Sequence, residues 1–229
     1  MKLIRIIPSL LIENNSLVKG KNFKDHKYVG DIFNAVKIFS EKGAHEIQLL
    51  DISARKNNKI IDLDLIKKIR GEIFVPLSVG GGINNINDIS SLINEGVEKV
   101  VLNSCIYENI KLIEEAANKY GSQSIVISID VKKNKNGNYS VYSNNATKKT
   151  DVLLESFVKK IESVGAGEIL LTSIDAEGLQ EGVDIDLYTK IENLIDIPII
   201  ASGGIGNLNH MINFFDITNC SSVACGSLF

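Results

Sequence analysis

The chain has 229 residues, of which 44% are hydrophobic and 23% are charged, and its formal net charge is -3. This composition is typical of a globular protein with one large core, so we predict a single domain over residues 1–229. The absence of a basic stripe argues against nucleic-acid binding, and no apolar stretch is long enough to span a membrane.

Neither the first residues nor the cysteines suggest a secreted protein. Met1–Arg5 leads directly into a short apolar run without a signal peptide. The three cysteines are too few and too badly spaced for a disulfide framework or a CxxC zinc site, and small buried thiols are the simpler interpretation. We therefore expect a cytoplasmic protein without a metal or cofactor. The cysteines are Cys105, Cys220 and Cys225.

Short β-branched runs alternate with longer stretches of helical period, a pattern that predicts βαβ units and a parallel sheet. Several runs are apolar at consecutive positions, as in parallel strands that are covered on both faces. The eight predicted strands are Leu3–Ser9, Glu46–Leu50, Phe74–Val79, Lys99–Leu102, Ser124–Ile129, Glu168–Thr172, Ile197–Ala201 and Ser222–Ala224.

Amphipathic helices are predicted between these strands. Asp31 and Thr150-Asp151 are the expected caps of two helices, and three others run into a glycine that would end them, namely Gly71, Gly96 and Gly121. The helices lie near 32–39, 63–70, 86–95, 108–120 and 154–161. No helical pattern follows the eighth strand, so the last helix is expected to be absent or truncated.

The sequence repeats itself after a shift of 122 positions. The shift aligns Gly43–Leu49 with Gly165–Leu171, and Val75–Ile83 with Ile197–Ile205. One constant shift that matches two separated segments indicates two similar halves of four strands each. We therefore predict an α/β fold, a (β/α)8 TIM barrel with an internal two-fold repeat.

A glycine turn follows the third and the seventh predicted strand, at Gly80–Gly82 and Ser202–Gly204. Glycine allows backbone N–H groups to approach an anion closely, and the next helix N-terminus adds its dipole. Both turns lie at strand carboxyl ends, where barrel active sites form. We predict two phosphate sites for one elongated ligand, with plain tight turns as the alternative. The predicted phosphate-binding residues are Gly81, Gly82, Asn103, Ser104, Gly203, Gly204, Gly226 and Ser227.

Over nearly its whole length the chain resembles the cyclase subunit of imidazole glycerol phosphate synthase. The resemblance implies that a glutaminase subunit makes ammonia, which crosses the barrel and attacks a bis-phosphorylated substrate. It also implies two aspartates as acid and base, at the ends of strands one and five. The matching motifs are Arg5–Pro8, Val18–Gly20, Leu50–Ile52, Ser78–Ile83, Gly165–Asp175 and Ala201–Gly204.

One of the two implied aspartates is missing from this sequence. Asp130 matches the second and is the catalytic candidate, with a structural hydrogen-bond acceptor as the alternative. Leu11 stands at the position of the first, and the repeat agrees because Ser9–Ile12 aligns with Ser128–Val131, here with a shift of 119 positions (128 − 9) instead of 122. Leucine transfers no proton, whereas general acid–base catalysis is worth about 10²–10⁴-fold.

The loops on the substrate side match the family in part. The resemblance assigns Lys19, Asp51 and Asp175 to substrate loops, although Lys19 could be a solvated lysine and Asp51 a loop cap. Residues 175–179 read Asp-Ala-Glu-Gly-Leu where the family usually has Asp-x-Asp-Gly-Thr. The loop that ends at 143–147 lacks the family's usual glycine pair.

The opposite end of the barrel keeps all four charged residues that gate ammonia entry in the family. Charges near a barrel axis are costly unless they are paired, and two cations with two anions form a neutral ring. The alternative is that they are solvated residues at strand ends. On this face we expect a glutaminase to dock, with Glu98 and Gln123 as candidate contacts. The gate residues are Arg5, Glu46, Lys99 and Glu168.

An intact inlet combined with a lost acid favours a paralogue that docks a glutaminase and channels ammonia. The resemblance extends to a family branch encoded with surface-polysaccharide genes, which accompanies a separate sugar amidotransferase. One alternative is a genuine cyclase of histidine biosynthesis with a displaced acid, and another is a scaffold that activates a glutaminase without conducting ammonia. The sister isomerase barrel is disfavoured because it uses the same two aspartates.

Overall fold

The computed structural model describes residues 3–228, which form twelve strands and seven α-helices. Two short 3-10 helices lie at Ser104–Tyr107 and Ser122–Ser124. Within these residues no helix is long and apolar enough to cross a membrane. In chain order the elements are β1 (Arg5–Glu13), β2 (Ser16–Lys21), β3 (Lys24–Gly30), α1 (Ile32–Glu41), β4 (Ile47–Asp51), α2 (Leu63–Glu72), β5 (Leu77–Gly80), α3 (Ile86–Asn94), β6 (Lys99–Leu102), α4 (Lys111–Tyr120), β7 (Ile125–Lys133), β8 (Tyr139–Ser143), β9 (Lys148–Leu153), α5 (Leu154–Ser163), β10 (Glu168–Ser173), α6 (Ile185–Ile191), β11 (Ile199–Ser202), α7 (Leu208–Ile217) and β12 (Ser222–Cys225).

Eight of the strands form a closed parallel barrel. Around the barrel the order is β1, β4, β5, β6, β7, β10, β11 and β12, and β12 pairs with β1 again. Every pair in this circle is parallel. The predicted (β/α)8 TIM barrel is therefore confirmed.

Two antiparallel hairpins were not predicted, and they occupy equivalent places in the two halves. β2 and β3 follow β1, while β8 and β9 follow β7. Pairing with these hairpins extends β1 to Glu13 and β7 to Lys133, beyond the predicted ends at Ser9 and Ile129. The hairpins thus repeat the two-fold pattern seen in the sequence.

Two of the expected helix boundaries differ from the structure. Gly71 lies within α2, which ends at Glu72, so it is not the expected stop. Thr150 and Asp151 lie in β9, and α5 begins at Leu154 without a side-chain cap, because the hairpin occupies the residues expected to cap the helix.

The other three expected caps and stops hold, although α4 begins at Lys111 and not at the expected Glu108. Asp31 caps α1 by accepting a hydrogen bond from the Asn34 backbone N–H. Gly96 and Gly121 follow α3 and α4 with φ of 87° and 85°. Positive φ is readily available to glycine, so both residues suit a helix end.

Side chains alternate between two cores. The larger core lies between the strands and the helices. A smaller apolar cluster fills the barrel interior and consists of Ile7, Val101, Val126, Leu170, Ile200 and Ala224. Because strand side chains alternate, the residues two places before or after these also point inward. The charged ring and the mouth therefore cap the two ends of one packed interior.

Candidate active site

A pocket occupies the mouth of the barrel, where the strands end. Every residue predicted on the substrate side lines it, except Asp175. The Asp175 carboxylate instead accepts a hydrogen bond from the Lys133 backbone N–H at 2.9 Å and ties the end of β7 to the loop after β10. Phosphate-turn, acid and loop residues that are far apart in sequence thus share one cavity.

Both glycine turns depend on glycine. Gly82 and Gly204 have φ of 71° and 89°, in the region that side chains rarely adopt. A Cβ on Gly82 would lie 1.7 Å from the Lys59 carbonyl oxygen, and one on Gly204 would lie 1.9 Å from the Gly182 carbonyl oxygen. Each turn is therefore held at positive φ against a carbonyl oxygen of the loop that follows the preceding barrel strand.

Asn103, a predicted phosphate-binding residue, hydrogen-bonds to the acid. Its Nδ2 donates to Asp130 Oδ2 at 2.9 Å and to the Ser128 carbonyl at 3.2 Å. Ser104 Oγ donates to Asn103 Oδ1 at 3.2 Å and accepts from the Asn144 backbone N–H at 3.1 Å. Asn103 thus orients the Asp130 carboxyl, in addition to its predicted place beside a phosphate.

The Asp130 side chain is buried at the carboxyl end of β7, with 5% of the residue exposed. Burial raises the pKa of Asp130 to about 7, and the negative charge of Glu177 adds to this rise, while the Asn103 hydrogen bond opposes it. A carboxyl with such a pKa exists in both protonation states near neutral pH, which suits proton transfer.

Glu177 is a second acid in the mouth, and it was not among the predicted site residues. It lies in the loop after β10 and lines the pocket. Burial raises its pKa to about 6. The Asn22 backbone N–H donates to the Glu177 carbonyl at 2.9 Å, so the β2–β3 hairpin holds this loop over the mouth. Two carboxyls with raised pKa values therefore share one pocket, a pattern that favours functional acids.

Lys19 and Asp51 also face the pocket. Burial lowers the pKa of Lys19, which lies on β2. Asp51 Oδ1 accepts hydrogen bonds from Ser53 N and Oγ, at 2.8 and 2.7 Å, and from Ala54 N at 3.0 Å. The loop-capping alternative for Asp51 is thus present in the structure, alongside its position in the mouth.

At the other end of the barrel the four predicted gate residues form a closed ring of ion pairs. Lys99 Nζ lies 2.8 Å from Glu46 Oε2 and 2.9 Å from Glu168 Oε2. Arg5 Nη1 and Nη2 lie 3.4 Å from Glu46 Oε2 and 2.8 Å from Glu168 Oε1. Each cation bridges both glutamates, so the charges compensate one another where burial would otherwise be costly.

Comparison with known proteins identifies the family. The profile of a family described as "Histidine biosynthesis protein" matches residues 5–229. The chain is 39% identical to the imidazole glycerol phosphate synthase subunit HisF of Streptococcus mutans, over 98% of this chain and 90% of that protein. The chain belongs to the HisF family.

Two further relatives are similar over the same range. A putative imidazole glycerol phosphate synthase subunit HisF of Leptospira borgpetersenii is 44% identical, over 98% of this chain and 89% of its own length. A putative subunit hisF2 of Pseudomonas aeruginosa is 42% identical, over 98% of this chain and 90% of its own length. The match to the HisF family thus includes both the barrel ring and the mouth.

Within this HisF-family barrel, Leu11 and Asp130 occupy equivalent positions. Leu11 pairs with Leu50 on the next barrel strand, and Asp130 pairs with Thr172. Leu11 also lines the mouth. The alignment of the two positions is therefore confirmed by the register, and the first half presents an apolar side chain where the second presents an acid.

Glu177 has an equivalent of opposite charge in the first half. The 122-position shift places it on Arg55, which also lines the mouth. A Cβ on Gly82 would lie 3.1 Å from Ala54 Cβ, and one on Gly204 would lie 3.2 Å from Ala176 Cβ, so the residues preceding Arg55 and Glu177 are in matching positions. The sequence signal for Glu177 was its place in the acidic loop, where a glutamate replaces the family's second aspartate.

Proposed function

We propose that this chain is the cyclase subunit of an imidazole glycerol phosphate synthase. In this proposal it uses ammonia from a glutaminase subunit to close a ring in a bis-phosphorylated substrate. The observation that carries the proposal is one barrel with two glycine turns and two acids of raised pKa at its mouth and a closed charge ring at its other end. The names of the relatives support this function over the conduit that the sequence favoured.

Each group at the mouth has a defined role in this proposal. The backbone of Gly81-Gly82 and of Gly203-Gly204 binds one phosphate each and fixes the two ends of the substrate. Asp130 and Glu177 exchange protons with the substrate and the attacking nitrogen, because both are buried carboxyls with raised pKa values at the mouth.

The glutaminase docks on the face where the strands begin, because the charge ring lies at that end of the barrel. Ammonia that enters at the ring reaches the mouth through the barrel interior, without release to solvent. Removing one cation leaves two buried glutamates sharing the other cation, and this excess of negative charge costs up to about 3–5 kcal/mol.

The test is turnover of the bis-phosphorylated histidine-pathway intermediate with ammonium chloride as the nitrogen source. The purified chain should form the cyclised product, and a co-purified glutaminase should allow glutamine to replace ammonium. Glu177→Gln, which keeps the size of the side chain, should lower the ammonium-dependent rate by about 10²-fold or more. A chain that shows no turnover with either nitrogen source contradicts the proposal.

Leu11 favours a second candidate function. If a cyclase needs an acid on the first strand, this chain is an ammonia conduit that serves another acceptor, such as a sugar held by a separate amidotransferase. A conduit should bind the glutaminase and stimulate glutamine hydrolysis, yet leave the histidine-pathway intermediate unchanged. Stimulated hydrolysis without cyclised product would thus select this candidate.

A further inference from the structure

A buried tyrosine of α6 contacts the start of the second glycine turn. Tyr188 is fully buried between the helices and the strands, and its ring packs edge-on against Phe214 with the ring centroids 5.1 Å apart. Its hydroxyl reaches Ser202, which ends β11 and begins the turn. Because the ring is enclosed by the core, the position of the hydroxyl is fixed.

The Tyr188 hydroxyl holds both backbone polar groups of Ser202. Its oxygen accepts a hydrogen bond from the Ser202 N–H at 3.0 Å. Its proton is donated to two carbonyl oxygens, that of Ser202 at 3.0 Å and that of Leu171 in β10 at 2.8 Å. A phenol has one proton, so the two carbonyls share this donor. One side chain thus bridges β10 and β11 and contacts the peptide groups on both sides of Ser202.

These contacts influence where the next N–H groups point. A peptide group is planar, so a fixed Ser202 carbonyl also fixes the direction of the Gly203 N–H in the same peptide. Gly203 and Gly204 have φ of 98° and 89°, and glycine has the greatest backbone freedom of all residues. A turn whose N–H groups are already oriented binds an anion more tightly, because less of the chain must be ordered on binding.

The first half has no counterpart of this contact. α2 begins at Leu63 and α6 at Ile185, so the 122-position shift also relates these two helices. It places Tyr188 on Ile66, which is fully buried, and Ser202 on Gly80. Isoleucine has no hydroxyl and cannot hold the end of β5 in this way. The two turns therefore share their glycines but differ in what holds the residue before them.

We propose that Tyr188 is a positioning residue for phosphate binding at the second glycine turn. Its hydroxyl holds Ser202, and through it the N–H groups of Gly203 and Gly204, in the direction in which they bind a phosphate. Tyr188 does not line the mouth pocket, so it acts through Ser202, which does. This inference rests on the proposed function in one respect, because it takes phosphate as the ligand of the turn.

Amide NMR of the isotope-labelled chain, titrated with inorganic phosphate, follows the two turns separately. The signals of Gly203–Gly204 report on the second turn, and those of Gly81–Gly82 report on the first. Tyr188→Phe keeps the ring and its contact with Phe214 but removes the hydroxyl. We expect the dissociation constant at the second turn to rise about three- to tenfold, the typical contribution of one hydrogen bond, and that of the first turn to stay native.

Tyr107→Phe is the matched control. Tyr107 Oη is buried without a hydrogen-bond partner among the residues that the structure describes, and its ring stacks on Phe157 at 5.2 Å. Removing this hydroxyl breaks no hydrogen bond, so phosphate binding should stay native at both turns. Equal weakening of both turns in Tyr188→Phe would indicate a general loosening of the barrel and would overturn the proposal, as would native binding at both turns.

Crystal structures of the native chain and of Tyr188→Phe distinguish a failure of this inference from a failure of the proposed function. We expect the backbone of Ser202–Gly204 to be displaced or less ordered in the variant, while Gly80–Gly82 stays unchanged. A second turn that is neither displaced nor less ordered contradicts the positioning role. If phosphate shifts no glycine signal in the native chain, the proposed function loses its phosphate sites, but the backbone comparison still decides whether Tyr188 holds the turn.

Discussion

The two halves of the barrel share a backbone but differ in their chemistry. Gly82 and Gly204 make equivalent close contacts, and a hairpin follows the first strand of each half. Yet the first half carries Leu11 and Arg55 at the mouth where the second carries Asp130 and Glu177. The glycine turns and hairpins that form the mouth are thus duplicated, while the two acids with raised pKa values both lie in the second half.

This asymmetry gives the mouth a polarity. The first half contributes the cations Lys19 and Arg55, and the second half contributes both acids with raised pKa values. Arg55 is anchored by Glu108 at 2.8 Å and by Asn84 Oδ1 at 3.1 Å, which fixes its position. A ligand with two phosphates would therefore contact two similar glycine turns, but only the second half would offer it acids with raised pKa values.

The largest expected effect comes from removing the acid of the second half. Asp130→Asn keeps the shape but cannot take up or release a proton, so ammonium-dependent turnover should fall by about 10²–10⁴-fold. Steady-state kinetics with saturating ammonium measure the change. Leu11→Asn puts the same amide at the equivalent position of the first half without removing a carboxyl, and it should retain most of the turnover. Equal losses in the two variants would contradict the division between the halves.

Loss of either glycine turn should affect the two halves alike. Gly82→Ala and Gly204→Ala each place a methyl group against a carbonyl oxygen at positive φ, so each should lower the free energy of unfolding by about 3 kcal/mol. Urea unfolding measures this loss. Gly43→Ala is the control, because Gly43 has φ of 77° and a Cβ added there would meet nothing within 4 Å, and it should cost only about 1 kcal/mol.

Phosphate binding tests whether the two glycine turns are also equivalent as binding sites. Inorganic phosphate should raise the Tm of the native chain, and each turn variant should lose part of that rise. A phosphate effect that survives in Gly204→Ala but disappears in Gly82→Ala would show that the two turns are not equivalent sites.

Much of this architecture was predictable because it follows from patterns in short segments of the sequence. Consecutive apolar runs gave all eight barrel strands, and the constant shift gave the two halves. The hairpins were missed because β3 is mostly exposed and polar, so it has no apolar periodicity. Pro76 and Pro198 lack the N–H that a strand ladder needs, and so β5 and β11 begin after them, later than predicted.

The mouth was predictable in its glycines and in Asp130, but not in Glu177. The rise in the pKa of Glu177 depends on burial, which comes from the distant hairpin packing over its loop through Asn22. A contact between residues far apart in the chain therefore decides the case of Glu177.

The pH dependence of stability is a smaller test of the second half. The pKa of Asp130 is raised from 3.8 to about 7, so the folded chain binds a proton that the unfolded chain releases between these values. Stability from this group is therefore lost as pH rises through that window. The free energy of unfolding of Asp130→Asn, measured relative to that of the native chain, should therefore rise by about 2–3 kcal/mol from about pH 5 to about pH 8.

Urea unfolding at the two pH values measures this gain. Leu11→Asn removes no titrating group and serves as the control, since its difference from the native chain should stay constant with pH. A gain for Asp130→Asn that is the same at both pH values would mean that the carboxyl is already ionised in the folded chain at the lower one.

The smallest expected effect comes from giving the first half the acid it lacks. Leu11→Asp places a carboxyl across the mouth from Asp130. If Glu177 supplies the second acid, as proposed, ammonium-dependent turnover should change by less than about tenfold. The informative variant is the double change with Glu177→Gln, in which the new carboxyl should restore part of the lost rate. If Leu11→Asp alone raises turnover 10²-fold or more, the gain equals the contribution of a missing acid. Glu177 then does not act as the second acid, and the native first half lacks a catalytic group.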